Sequence, residues 1–317
     1  MGALAGGLEA TPEQCAVIRQ SLDQALTLDP NFSLAYAIRA RHYAYSMARL
    51  VRRSDEVTVT RRYELAQENA ERALALDANS GLAHAGIAVA HRFAWRDREA
   101  QLAFTRALEQ NPSDQRVLRD VAFFNLFRGH YRAALEVARE IVEIEPGLGN
   151  FLVGYTLMPL GDSDGALAAC QKVLSLRPDF ALAHQLRGFV MLTKGDKAKA
   201  LESLRLSEEL EYKASVYAIA QTGFAYRVLG HRGDARRIFE KIEALAREYV
   251  VSDAAWALAY LAIDDQDKAL QSLSHAAEQA CPGEDISAAT IRLNMLAAPI
   301  LEQQEFLEFR RRLGFSG

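Results

Sequence analysis

Small residues return along this chain at a fixed interval, and that interval constrains the fold more than any other feature. Ala66, Ala100, Ala134, Ala166, Ala200, Ala235 and Ala269 are separated by 34, 34, 32, 34, 35 and 34 residues. A second series, Ala40, Ala88, Ala122, Gly154, Gly188, Gly223 and Ala257, runs 12 residues ahead of the first in every unit but the earliest. Two helices approach closely only where neither carries a bulky side chain at the crossing, so each unit is expected to hold two helices that cross at these positions. Gly129, Gly161, Gly195 and Gly230 fall five residues before the matching alanines, where one helix must end in a left-handed residue before the next begins. Proline or polar turns close the units at Leu28–Asn31, Leu76–Asn79, Gln110–Ser113, Glu145–Gly147 and Arg177–Asp179. Apolar residues at helical spacing, such as Ile238, Phe239 and Ile242, give each helix one buried face. No unit can bury that face alone, whereas a stack of units buries it continuously.

Composition agrees with an all-α reading. Half of the 317 residues are hydrophobic, and 8 prolines and 19 glycines are few for this length, which favours helix over strand. A formal net charge of -4 provides no global attraction to nucleic acid, so direct nucleic-acid binding is not expected. Cys15, Cys170 and Cys281 are far apart, with no paired spacing for a metal site. They read as reduced thiols, and no metal or cofactor is expected. No run of about 18 apolar residues occurs and the N-terminus lacks a basic, apolar leader; a cytoplasmic location without membrane insertion is the expectation.

A small residue, an alanine 12 later and a proline 12 after that, at a period of 34, resembles the tetratricopeptide repeat. In the unit ending at Pro112 the family's alanine, large apolar and small positions are met by Ala100, Phe104 and Ala107. The aromatic three residues after the first small position is met by Tyr43, Tyr226 and Tyr260, but not by His91, Asn125, Leu157 or Met191. The resemblance implies a right-handed superhelical solenoid of antiparallel helix pairs, about seven repeats, ending in capping helices. Three stretches, Ala25–Ala37, Arg247–Leu270 and Glu305–Phe315, also resemble the C-terminal repeat module of bacterial winged-helix transcriptional regulators and class III adenylate cyclases. That resemblance implies a regulatory part of a larger bacterial signalling or transcription protein, with an attached output domain.

The expected organisation is a flexible N-terminus over 1–11, a solenoid over 12–281 and C-terminal capping helices over 282–317. Thr11-Pro12-Glu13-Gln14 reads as a capping box with proline at the first helical position, so a helix starts at Pro12. It aligns with the second helix of an incomplete first repeat. The first full unit carries an insertion near 47–60 with Arg49, Arg52 and Arg53, followed by Arg61 and Arg62. This basic cluster reads either as a contact for phosphate or an acidic partner, or as a solvated loop paired with Asp55, Glu56 and Glu64.

No phosphate-binding loop, dinucleotide fingerprint, zinc-protease or nucleophile-elbow motif is present. His84, His130, His184 and His231 are scattered, with no partner at a helpful spacing. The chain is therefore expected not to be an enzyme. First helices of such a solenoid line its concave face, where binding occurs. One residue after the first small position of successive units come Phe123, Tyr155, Phe189 and Phe224. With Arg92, Arg119, Gln185, Gln221 and Arg227 they form the candidate groove for a protein or peptide partner. The same spacing also serves simple packing between neighbouring helices. Arg119 and Phe123 stand where relatives that clamp a C-terminal carboxylate use Lys and Asn, so that clamp is not expected. Two functions remain open: a protein-interaction scaffold, or a sensory domain that binds a small metabolite in the same groove.

Overall fold

The computed structural model of the chain describes residues 12–46, 51–52, 59–94, 96–210 and 216–279. Within them lie fifteen helices and one two-residue strand pair. A single helix, α1 (Pro12–Leu28), begins at the expected proline and precedes seven helix pairs. The pairs are α2 (Ser33–Ser46) with α3 (Val59–Leu76), α4 (Gly81–Phe93) with α5 (Asp97–Gln110), and α6 (Gln115–Phe127) with α7 (Tyr131–Ile144). There follow α8 (Pro146–Leu157) with α9 (Ser163–Leu176), α10 (Ala181–Thr193) with α11 (Lys197–Glu209), α12 (Val216–Val228) with α13 (Arg232–Glu248), and α14 (Asp253–Ala262) with α15 (Gln266–Gln279). The architecture is the expected all-α solenoid of antiparallel pairs. The N-terminal segment 1–11 and the capping helices expected over 282–317 lie outside the described residues.

The turn glycines do what the spacing requires. Gly129, Gly161, Gly195 and Gly230 have φ between 77° and 85°, and the residue after each donates its amide five residues back, as His130 to Asn125 O at 2.8 Å and Asp196 to Met191 O at 2.9 Å. This is the helix-ending motif that needs a left-handed residue. In the last unit the same position, five residues before Ala269, is Asp264 at φ 66°. A short polar side chain tolerates that region better than most, and its carboxylate takes a hydrogen bond from Arg227 Nε at 2.6 Å. Where an aspartate follows the turn residue it caps the second helix: Asp162 accepts from Gly165 N at 2.8 Å and Asp196 from Lys199 N at 3.1 Å.

The crossing positions are buried as their chemistry demands. Ala66, Ala100, Ala166, Ala200, Ala235 and Ala269 are fully inaccessible. A Cβ at Gly188 would come within 2.8 Å of Leu204 Cγ, and one at Gly223 within 2.7 Å of Ile238 Cγ2. Phe104 fills its second-helix position and stacks near Phe124, with ring centroids 5.2 Å apart. Phe239, its counterpart in α13, is only half-buried: Ile238 takes the interior position, and Phe239 lies against Trp256 and Tyr260 of α14. The interior position is thus shifted by one residue, and Ile238 lies directly over Gly223.

The insertion of the first unit is real. Twelve residues, 47–58, separate α2 from α3, where three suffice between α6 and α7 or α10 and α11. Inside it, β1 (Val51–Arg52) pairs antiparallel with β2 (Tyr249–Val250), which joins α13 to α14. Among its flanking arginines, Arg61 pairs with Glu64 at 3.0 Å and Glu68 at 2.7 Å, while Arg62 is buried and donates to Ser46 O at 3.5 Å.

Two glycine substitutions should have opposite signs. Gly195→Ala forces a side chain into left-handed backbone and should cost about 1 kcal/mol or more, whereas Gly233→Ala, in the first turn of α13 with nothing within 4 Å of its Cβ, should add about 0.4–1 kcal/mol. Urea midpoints of the two variants check this.

Candidate binding groove

First and second helices of this solenoid are not equivalent. Several first helices of adjacent units pack together, α2 on α4, α4 on α6 and α12 on α14, while second helices meet one another at most marginally among the described residues. The first helices therefore line the inside of the curve and the second helices splay on the outside. The inner helices are also the apolar, small-residue helices: α4 and α14 each bury six or more residues, most of them Ala or Gly.

Two polar bridges cross this inner wall, one over three successive inner helices and one between two. In the N-terminal half Arg41 of α2 reaches over α4 to Asp120 of α6. Its guanidinium makes a forked pair, with Nε 2.9 Å from Oδ2 and Nη2 2.8 Å from Oδ1. Tyr45 donates its hydroxyl to the same carboxylate at 2.5 Å, and Arg119 Nε lies 3.8 Å away. The reach is possible because α4 presents Gly86, whose Cα passes so close that a Cβ there would meet Ala40 Cβ at 3.0 Å and Arg41 Cγ at 3.4 Å. Arg41 and Asp120 are 7% and 1% exposed, a burial that charged groups tolerate only when paired and hydrogen-bonded. Next to them Arg128 donates to Arg92 O at 3.1 Å and pairs with Asp97 at 2.6 Å, and the Arg92 guanidinium lies over the Phe93 ring at 4.1 Å.

In the C-terminal half burial raises the Tyr155 hydroxyl of α8 to about 12, a rise that the Gln221 amide of α12 opposes. Gln185 of α10 ties that helix to α12, donating from Nε2 to Ala218 O at 2.6 Å and to Thr222 Oγ1 at 2.8 Å. Gln185 and Gln221 are both 2% exposed.

The aromatic row lies on the inner helices, but it is largely filled in. Phe123, Phe189 and Phe224 are each 5% exposed. Phe123 packs in one cluster with Tyr155 at its edge, and Phe189 and Phe224 pack together in another. Tyr155 is the half-buried member. Of the polar companions, Arg92, Gln185 and Gln221 are buried, Arg119 keeps 13% of its side chain accessible, and Arg227, about a third accessible, pairs with Asp264. Sequence reasoning missed Arg41, Tyr45 and Asp120. The register itself could have found the first: Arg41 follows Ala40 and so occupies, in the first unit, the place that Phe123, Tyr155, Phe189 and Phe224 hold later.

Among the described residues no three metal-ligating side chains cluster, and no helix is long and apolar enough to cross a membrane. His184 is buried with Nε2 at 2.7 Å from Pro178 O, and desolvation lowers its pKa, as it does for His84 and His91.

Residues 149–180, which run from α8 to the start of α10, match the tetratricopeptide repeat family. The fold is a tetratricopeptide-repeat solenoid. Anaphase-promoting complex subunit 3 of Schizosaccharomyces pombe is 22% identical over 196 residues, 61% of this chain and 27% of that protein. Tetratricopeptide repeat protein 36 of Mus musculus is 34% identical over 101 residues, 31% of this chain and 54% of that one. The chain thus spans about a quarter and about half of the lengths of these relatives. Among solved structures, the Cut9–Hcn1 assembly of the anaphase-promoting complex superposes with a TM-score of 0.60 at 14% identity, covering 96% of this chain and 53% of that one. A tetratricopeptide repeat protein from Parabacteroides merdae gives 0.54 at 15% identity, covering 79% and 93%.

The buried pair makes an asymmetric prediction. Arg41→Met alone strands the Asp120 carboxylate and should cost about 3–5 kcal/mol, whereas Arg41→Met with Asp120→Leu removes both charges and should recover most of that loss. Urea denaturation of the single and double variants measures the difference.

Proposed function

We propose that this tetratricopeptide-repeat solenoid is a protein-interaction scaffold that takes a segment of a partner protein along its concave groove, and that it acts as the regulatory part of a larger bacterial signalling or transcription protein. The observation that carries the reading is the inner wall itself. Arg41 is already paired with Asp120 across three helices and Gln185 with α12, so the wall loses little conformational freedom when a ligand settles on it. Against that fixed background Tyr155, Arg119 and Arg227 retain accessible surface. An aromatic edge flanked by two guanidinium groups suits an extended segment with an apolar side chain and carboxylates on either side. Phe123, Phe189 and Phe224 then shape the wall behind the ligand, with Arg92, Gln185 and Gln221 holding it in place.

Proteins captured by the immobilised chain from a bacterial lysate, with cross-links mapped by mass spectrometry, test this. Tyr155→Ala and Arg227→Ala should each lower capture of the specific partner by tenfold or more, about 1.4 kcal/mol or above, with cross-links confined to the inner helices. Arg236→Glu, on the outer face with its side chain 76% exposed, should leave capture unchanged. Equal losses in inner and outer variants would remove the groove from the reading. A melting temperature raised by a small metabolite with no protein present would replace the scaffold with a sensor.

A further inference from the structure

The pairing of β1 with β2 joins parts of the chain that the solenoid should keep apart. Connections within a unit lie along one rim of a stack of antiparallel pairs, and connections between units lie along the other. Val51–Arg52 belongs to the within-unit connection of the first pair, and Tyr249–Val250 to the connection between the sixth and seventh pairs. Their register, Val51 opposite Val250 and Arg52 opposite Tyr249, therefore links opposite rims. From α2 to α14 the inner helices make six steps, about 50–60 Å at ordinary helix spacing. The five residues from Ser46 to Val51 reach at most about 17 Å. The ladder can form only across the open side of the curve, where the first and seventh units face each other.

β2 also has the features of a docking edge. Val250 is 48% exposed, and a shallow depression beside it is lined by Glu243, Ala246 and Arg247 of α13 and Trp256 of α14. β2 follows directly on the C-terminus of the 17-residue α13, whose partial negative charge favours a basic residue alongside. Strand addition takes affinity from such an edge and specificity from the pocket beside it.

We infer that Tyr249–Val250 is a strand-addition site at the mouth of the groove, occupied in this structure by the chain's own Val51–Arg52, and that a partner's extended segment of the same kind, a β-branched residue followed by a basic one, binds by displacing it. This rests on the groove reading above and names how a partner enters it. A two-residue ladder contributes few hydrogen bonds, so the resident segment is one that a longer strand can replace.

Two measurements test it without any natural partner. In a Cys15→Ser, Cys281→Ser background, Val51→Cys with Val250→Cys, the pair that the register sets opposite each other, should oxidise to an intramolecular disulfide, seen as a paired peptide by mass spectrometry. A fluorescein-labelled peptide of residues 47–56 should bind at least tenfold more tightly to a chain in which 47–58 is replaced by the three-residue turn of 194–196 than to the disulfide-locked chain. Failure of the disulfide to form overturns the occupied edge, and decides the matter alone if the shortened chain does not fold. A peptide that binds both chains equally, or neither, overturns the competition. Neither readout involves Tyr155 or Arg227, so a failed capture experiment and a failed edge are told apart.

Discussion

The close approach of two helices at a residue with no side chain to spare sets the geometry of this molecule. At Gly188 and Gly223 the opposing atoms are the branched ends of Leu204 and Ile238, which could shift a little to admit a methyl group. At Gly149 the opposing atoms are main chain, Val142 N at 2.4 Å and Val142 Cα at 2.5 Å from a built Cβ, and cannot. Gly188 and Gly223 thus close the two helices of one pair on each other, and Gly149 closes α8 on α7 of the preceding pair. At Gly86 the close approach joins two first helices, with Ala40 Cβ of α2 3.0 Å from a built Cβ, and draws the inner side of the stack tight there. Curvature depends on side-chain size at a few such positions.

That curvature explains why charged groups sit inside an otherwise alanine-rich wall. A guanidinium on α2 can pair with a carboxylate on α6 only if the helix between them is thin and the wall bends toward it. Gly86 provides the thinness and the small inner helices provide the bend. Leaving one charge of such a pair unmatched is costly, whereas two matched charges roughly break even against apolar replacements. The Arg41–Asp120 pair therefore serves registration of three units more than net stability: it is satisfied in one arrangement of α2, α4 and α6. Gln185 ties α10 to α12 with neutral groups, at the lower cost of burying uncharged atoms.

How much of this could be read from residues alone varies with the range of the interaction. Helix pairs, left-handed glycines and crossing points are properties of one period, and the spacing of Ala100, Ala134 and Gly129 states them directly. The start of α1 was legible in Pro12, because a proline at a first helical position has a local cause. Exposure of the aromatic row was not. Whether Phe189 faces a groove or fills a core depends on how tightly neighbouring units close, which no single period records. The same holds for Asp120, whose partner is 79 residues away in α2, and for the exchange of interior position between Phe239 and Ile238, where Phe239 meets Trp256 and Tyr260 of another unit. The insertion was visible as a break in the period, but nothing in its composition pointed to Tyr249 and Val250.

The small ladder is the longest-range consequence of the curvature. An isolated two-stranded ribbon is marginal even at several residues per strand, so two residues cannot hold the first and seventh units together by themselves. Causality runs the other way: the helix stack brings the two rims opposite each other, and the ladder forms because the loss of freedom in closing that loop is largely met by the solenoid. Such a contact is sensitive to the bend. A small change at each of the six steps between units accumulates along the stack, so the distance between β1 and β2 amplifies whatever alters the wall. A ligand that spreads the inner helices weakens the ladder without touching it, and a segment that replaces β1 leaves the helix crossings unaltered.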